Sequence, residues 1–188
     1  MAVGVKAGAV VDKGGNKLFL YEVDSSYAGV TLTVGTYLFD LGYLASSDVA
    51  QTTAKQDFEA EDGDVVTSSF TYTRLTKGQL MQTDADLINL LADTVKGKTY
   101  LEGKCTGYIN GVTQWHYKLV KVTPQFSVKR PGGTTSMEYE STGIKINTAI
   151  TFTSTVLASI GNLLSLSNYP STQSISISTS KQYVIAEV

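Results

Sequence analysis

Five carboxylates crowd one short stretch of the sequence around a single glycine, between residues 57 and 64. The stretch contains Asp57, Glu59, Glu61, Asp62, Gly63 and Asp64. A calcium-binding hand needs glycine at the sixth position of its loop, which would put Phe58 first and Ser69 last, and neither can supply the ligand needed there. Acid–base catalysis would need one carboxylate to be desolvated, whereas an exposed turn keeps all of them hydrated. Asp-Gly between two strand-like runs instead predicts the tip of a hairpin.

The single cysteine, Cys105, and the single histidine, His116, lie on two neighbouring predicted strands. If Asn110 and Gly111 form a two-residue turn, Cys105 faces His116 across the hairpin. Such a pair could act as a nucleophile, but packing of both side chains in a core is the ordinary explanation. One cysteine also excludes an internal disulfide and a multi-cysteine zinc site.

Two further patterns have simpler explanations than a binding site. Gly97-Lys98-Thr99 matches the end of a phosphate-binding loop, but Ala92 stands where the loop needs glycine, and the predicted helix precedes the motif instead of following it. The eleven tyrosines are dispersed along the chain, which favours protein interfaces over a carbohydrate platform. The sequence therefore predicts no catalytic, cofactor or metal site, and indicates an assembly or binding protein that is not an enzyme.

The composition limits the class of protein. The 188 residues are 42% hydrophobic, enough for one sizeable core, and only 17% charged, against roughly 25% in an average protein. A net charge of −2 shows no excess of basic residues for nucleic-acid binding. No apolar run is long enough to span a membrane, and the first residues do not resemble a secretory signal. We therefore expect folding in a reducing cytoplasm, with no membrane insertion.

One helix and two hairpins form the predicted framework. Thr83 is suited to cap a helix whose apolar face contains Leu87, Leu90, Leu91 and Val95, and Gly97 is suited to end it. Asn110-Gly111 joins strands at 99–109 and 112–122. The acidic turn joins the two halves of a longer hairpin at 48–78.

The remaining stretches add strands to this framework. Strand patterns occur at 17–23, 30–34, 36–44, 125–129, 134–139, 144–152, 174–178 and 182–188, while 156–166 fits either a short helix or irregular structure. We therefore expect a mainly β fold of two packed antiparallel sheets, either a sandwich or a partly open barrel, with one flanking α-helix. The expected divisions are an N-terminal arm at 1–15, a β domain at 16–152, and a C-terminal extension at 153–188 that packs on the same domain.

The order of these features resembles that of the tail tube (major tail) proteins of long-tailed bacteriophages. Asp40-Leu41-Gly42-Tyr43 precedes the long polar hairpin, residues 70–82 lead into Thr83-Asp84-Ala85-Asp86-Leu87, and the Gly97 stop, the Asn-Gly turn and the Pro-Gly-Gly turn follow. The resemblance covers residues 18–146. It rests on the order of elements more than on fixed residues.

The resemblance implies a structural virion protein without cofactors. Two sheets would enclose one core, six copies would close into a ring, and stacked rings would form a tube through which DNA passes as transient cargo. Other tail proteins would bind the tube ends, and the protein would be made in the host bacterial cytoplasm. Residues 48–77 would be the stacking hairpin, with its tip at Glu59, Glu61, Asp62, Gly63 and Asp64, and 1–15 would be an arm. The alternative is a surface-binding β module, such as a fibre, decoration or lectin-like domain.

A tube for DNA also implies something about charge. Cations facing the lumen would hold DNA by counterion release, and ring symmetry would multiply each of them. We expect the lumen-facing positions to be mostly acidic or neutral, with Lys55, Arg74 and Lys77 as the residues that test this.

Overall fold

The structure is a computed structural model that describes residues 17–23, 36–81, 85–109, 112–124, 128–129, 136–144, 146, 149–166, 169–170, 173–178 and 184–187. Several predicted features lie outside these residues. They are the arm at 1–15, the strand at 30–34, the Thr83 cap, the two residues of the Asn-Gly turn and the Pro-Gly-Gly turn.

The described residues form ten strands and two helices. The strands are β1 Lys17–Glu22, β2 Leu38–Glu59, β3 Val65–Leu80, β4 Tyr100–Ile109, β5 Val112–Val122, β6 Val128–Lys129, β7 Ser136–Gly143, β8 Ile150–Phe152, β9 Ile175–Ile177 and β10 Val184–Glu187. The helices are α1 Ala85–Asn89, which continues as a π-helical turn over Leu90–Thr94, and α2 Ser154–Leu163. Neither is long and apolar enough to cross a membrane.

Six strands close into a barrel in the order β4-β1-β2-β3-β7-β5. Every pairing is antiparallel, and the ring is completed where Val120–Val122 of β5 pair with Ser141–Gly143 of β7. The predicted pair of packed sheets is therefore wrong, both as read from the strand patterns and as implied by the resemblance. The reason is that β5 and β7, which stand at the two ends of this order, pair with each other, so the sheet closes on itself instead of ending at two edges. The prediction of a single helix is also wrong, because α2 adds a second.

The barrel interior contains one of the two hydrophobic clusters. It combines strand residues such as Leu18, Leu20 and Val120 with the helical face predicted from the sequence, in which Leu87, Leu90, Leu91 and Val95 are all buried. Gly97 ends this segment with φ of +70°, in the left-handed region that favours glycine. Because α1 joins the end of β3 to the start of β4, it lies at that end of the barrel.

A second hydrophobic cluster lies on the outer face of the barrel. The side chains of Phe19, Tyr21, Trp115 and Tyr117 form its barrel side. Residues 150–177, which we call the cover, pack over them and comprise β8, α2, β9 and the segment around Tyr169. The cover contributes Phe152, Leu157, Ile160, Leu164, Tyr169, Ile175 and Ile177.

Two sequence predictions concern the cover and its start. The stretch at 156–166, which fitted a helix or irregular structure, contains most of α2, and the Thr153 side chain caps this helix by accepting from the Val156 amide at 3.4 Å. Of the strand predicted at 144–152, the described residues contain β8, which pairs with β9 in a separate two-stranded sheet.

The hairpin of β4 and β5 contains a bulge that changes its register. Ile109 pairs with Val112 as expected, but the register shifts between Cys105 and Gly107. Cys105 consequently pairs with Trp115, and His116 pairs with Lys104. The predicted Cys105–His116 pair is therefore wrong. One extra residue in β4 shifts the pairing by one position for all residues on the side of the bulge away from the turn.

Candidate assembly surface

The long hairpin leaves the barrel as a two-stranded ribbon. β2 and β3 pair from Leu44↔Leu80 to Glu59↔Val65, which confirms the hairpin predicted at 48–78. β1 pairs only with residues 38–43 of β2, and β7 only with residues 75–80 of β3. In the described part of the chain, residues 51–59 and 65–74 therefore pair only with each other, and the side chains from 51 to 65 are all exposed.

Local hydrogen bonds shape the tip of the ribbon. The Ala60 amide donates to the Asp64 carbonyl and the Gly63 amide to the Ala60 carbonyl, both at 2.8 Å. The Asp64 amide also donates to the Asp62 carboxylate at 3.1 Å. Gly63 has φ of +83°, which explains why glycine occupies this position. The turn thus gathers Glu59, Glu61, Asp62, Gly63 and Asp64 at one exposed end.

Two large apolar side chains flank this acidic tip. Phe58 is 64% exposed and Val65 is 65% exposed, on opposite strands next to the turn. From the sequence, Phe58 was considered only as a residue that cannot bind calcium, although a phenylalanine inside a polar hairpin also indicates a surface that contacts another protein. Exposed apolar groups beside charges are typical of protein-binding surfaces. Among the described residues, no three His, Cys, Asp or Glu side chains group to hold a metal ion.

Each of the three cations that test the channel prediction forms an ion pair or a hydrogen bond with another side chain. Lys55 forms an ion pair with Asp57 at 2.8 Å, and Lys77 forms one with Glu140 at 3.0 Å. The hydrogen bond from Lys77 lowers the pKa of the Glu140 carboxyl. Arg74 donates from Nε to the Gln51 amide oxygen at 2.8 Å. Lys55 and Lys77 therefore do not present uncompensated positive charge.

The root of the ribbon borders a polar groove of about 450 Å³. Asp48 of β2, Lys77 of β3, and Glu138 and Glu140 of β7 line it. Three carboxylates surround one lysine, so the groove is acidic, like the tip.

A buried polar network anchors the same root inside the barrel. Thr76 of β3 donates to Oε1 of Glu102 on β4 at 3.2 Å, and Lys118 of β5 donates to Thr76 at 2.5 Å. Tyr139 of β7 donates to Oε2 of Glu102 at 2.6 Å, and Ser141 also donates to that oxygen. These hydrogen bonds join strands that are not neighbours, so they cross the barrel interior. The sequence did not indicate this network, because its five members come from four different strands, β3, β4, β5 and β7.

The charges in this network are almost fully buried. Glu102 is 2% exposed and Lys118 is 3% exposed, with 3.4 Å between Lys118 Nζ and Glu102 Oε1. Burial lowers the pKa of the neighbouring Lys104. Burial also lowers the pKa of the half-buried His116, and Lys104 lowers it further by repelling the protonated ring.

The sequence matches no protein-family profile, and no curated protein matches it. Among solved structures, the chain is similar to a chain of the virion of a native gene transfer agent (GTA) particle, with 11% sequence identity and a TM-score of 0.43. It is also similar to a chain in the tail of an empty GTA particle with C6 symmetry, with 11% identity and a TM-score of 0.44. Each match covers 70% of this chain and 92% of the other. Neither assigns this chain to a family.

Proposed function

We propose that this chain is a tail tube protein, a non-enzymatic virion subunit that closes into six-membered rings and stacks into a conduit for DNA. The observation that carries the proposal is the ribbon of β2 and β3. It projects from a closed barrel at the position where the sequence resemblance expects a stacking hairpin. In this proposal the partners are other copies of the chain and the tail proteins at the tube ends.

The ribbon is poorly suited to remain unpartnered. A two-stranded ribbon is marginally stable in water, because its backbone edges and both of its faces stay exposed. Open strand edges also pair readily with another chain. The described part of the ribbon has both features, so contact with neighbouring copies would stabilise it.

The charges of the ribbon suit a conduit for DNA. Lys55 and Lys77 are compensated by carboxylates, and the tip and the groove at the root are acidic. A surface of this kind does not hold the phosphate backbone by counterion release. DNA could therefore pass it without binding.

Self-assembly is the first prediction. We expect the purified protein to form hexameric rings, and tubes as its concentration rises, because a head-to-tail interface either closes or continues as a filament. Light scattering coupled to gel filtration would measure the mass, and negative-stain electron microscopy would show the particles. A monomer at high concentration with no rings would contradict the proposal. Discrete trimers would instead favour the surface-binding β module.

Shortening the ribbon tip is the second prediction. Replacing residues 59–65 with Asn-Gly preserves the Phe58↔Val66 pairing and supplies a favoured two-residue turn. We expect the thermal unfolding temperature to stay within about 4 °C of the original, since the tip buries little. Rings should still form, but tubes should not grow. Electron microscopy would measure tube length.

Two controls separate the contributions of shape and charge at the tip. Glu59→Gln with Glu61→Gln removes charge and keeps the turn. Asp93→Asn removes an exposed carboxylate on the helical segment and should not affect tubes. Tubes of normal length after the tip replacement would show that stacking lies elsewhere.

A further inference from the structure

The ribbon tip has an exposed apolar side chain on each of its two faces. In the register of β2 and β3, Phe58 pairs with Val66 and Glu59 pairs with Val65. Paired residues share a face of the ribbon, whereas successive residues of one strand point to opposite faces. Phe58 therefore lies on one face, and Val65 lies on the other together with Glu59. Because both side chains are exposed, one flat surface cannot cover the two of them.

The carboxylates of the tip lie around these two apolar groups. Glu59, Glu61, Asp62 and Asp64 are exposed, and none of them forms an ion pair with another described residue. Apolar groups bordered by polar or charged groups are the usual arrangement of a protein interface, with a core and a rim. The acidic rim favours a partner that carries a cation.

The barrel of the same chain carries such a cation on β5. Lys121 lies between Val120 and Val122, whose side chains belong to the interior cluster, so its own side chain points outward and is exposed. No ion pair links Lys121 to another residue in the part of the chain that the structure describes. Lys121 can therefore compensate an acidic group of a second copy.

The tip is too far from Lys121 of its own copy to meet it. Lys121 pairs with Thr142, and Thr142 pairs with Leu75, so Lys121 is level with the point where the ribbon leaves the barrel. At about 3.3 Å per residue, the strand from Leu75 to Val65 spans about 30 Å. The complementary charges can therefore meet only between copies.

We propose that each tip enters a cleft between two neighbouring copies of the next ring, with Phe58 packed on one copy, Val65 packed on the other, and the tip carboxylates beside Lys121. This inference rests on the proposed function and goes beyond it, because it names the contact residues and gives every ribbon two acceptors. Such a cleft exists only where two copies stand side by side. Stacking therefore requires a closed ring.

The size of the tip leads to the same dependence on the ring. Residues 58–65 are far fewer than the roughly 20–30 residues that each partner contributes to a stable interface. One inserted tip is therefore a weak contact. Six tips on one ring bind together, since each insertion after the first takes place within an assembly that is already joined. Free subunits consequently do not stack, whereas closed rings do.

Cross-linking from the two faces tests the number of acceptors. Phe58→Cys and Val65→Cys, each in a Cys105→Ala background, would carry a short photoactivatable cross-linker in assembled tubes, and mass spectrometry would identify the linked peptides. Mixing isotope-labelled with unlabelled subunits separates links between copies from links within one copy. We expect the two positions to link to different segments of neighbouring copies. Links from both positions to the same segment would show a single acceptor surface and overturn the inference.

Substitutions on each face test the same point without a probe. Phe58→Ser and Val65→Ser should each shorten tubes at a fixed protein concentration by at least about fivefold, while rings persist, because both faces make contact. Met81→Ser is the matched control, since Met81 is an exposed apolar residue just beyond the other end of β3, and tube length should not change. Tubes of normal length from either tip variant would overturn the inference.

Charge reversal tests the position of Lys121. Glu61→Lys and Lys121→Glu should each shorten tubes, and the double variant should restore most of the length, because the two charges are exchanged across the contact. A double variant no better than the weaker single variant would show that Lys121 does not face the tip. Absence of rings from the unaltered protein would contradict the proposed function and this inference together. Rings and tubes that tolerate the tip variants would contradict this inference alone.

Discussion

Replacing Glu102 with leucine should lower the free energy of unfolding by about 3–5 kcal/mol, because Lys118 would remain buried without its carboxylate. Both side chains are almost inaccessible, and Glu102 also accepts hydrogen bonds from Thr76 and Tyr139. Since domains of this size are commonly stable by about 5–15 kcal/mol, the variant would lose much of its stability. Urea unfolding followed by Trp115 fluorescence would measure the loss.

The double variant Glu102→Leu with Lys118→Met separates the loss of a partner from the loss of the pair. Replacing a buried ion pair by apolar groups of similar volume is often neutral or stabilising, so the second change should recover most of the stability. If Glu102→Leu alone leaves the urea midpoint unchanged, the network does not anchor the ribbon root. If the double variant is as unstable as the single one, the lost hydrogen bonds matter more than the buried charge.

Gly103→Ala should also be strongly destabilising, by about 1–3 kcal/mol or more. A Cβ at this position would lie 2.0 Å from Phe19 Cε1 and 2.2 Å from Phe19 Cζ. The Phe19 ring has little room to move, because it packs against the rings of Trp115, Tyr117 and Tyr169 at centroid distances of 6.0 to 6.4 Å. Thermal unfolding monitored by circular dichroism would measure the effect.

Two companion variants test the cause of this effect. Gly143→Ala lies in another barrel strand, where the nearest atom to the added Cβ is 3.4 Å away, so the change should be nearly neutral. Phe19→Leu shortens the ring that the new methyl group would meet. It should therefore cost less in the Gly103→Ala background than in the original protein, and such coupling is measured by a double-mutant cycle. Equal costs in both backgrounds would exclude the ring contact as the cause.

Local patterns determined the elements whose contacts are close in sequence. The spacing of Leu87, Leu90, Leu91 and Val95 correctly predicted a buried helical face, although part of that segment is a π-helical turn. The two hairpins were predicted because Asp-Gly and Asn-Gly sit between strand-forming runs. The exposed position of the acidic turn was also predicted from the sequence, because five carboxylates beside a turn favour contact with water.

Only the tertiary structure decided the closure of the barrel, the position of the cover and the buried charge network. Alternation along a strand identifies two faces, but β1 is buried on both, with Leu18 and Leu20 inside and Phe19 and Tyr21 beneath the cover. Residues 18–21 of this strand therefore form a continuous hydrophobic run, which does not indicate which layer lies on which side. Closure of the barrel depends on the pairing of β5 with β7. The network depends on the hydrogen bonds that Glu102 accepts from Thr76 and Tyr139 across the interior. Such contacts are fixed by the bulges and the shared pairing of several strands at once, which no short stretch of sequence specifies.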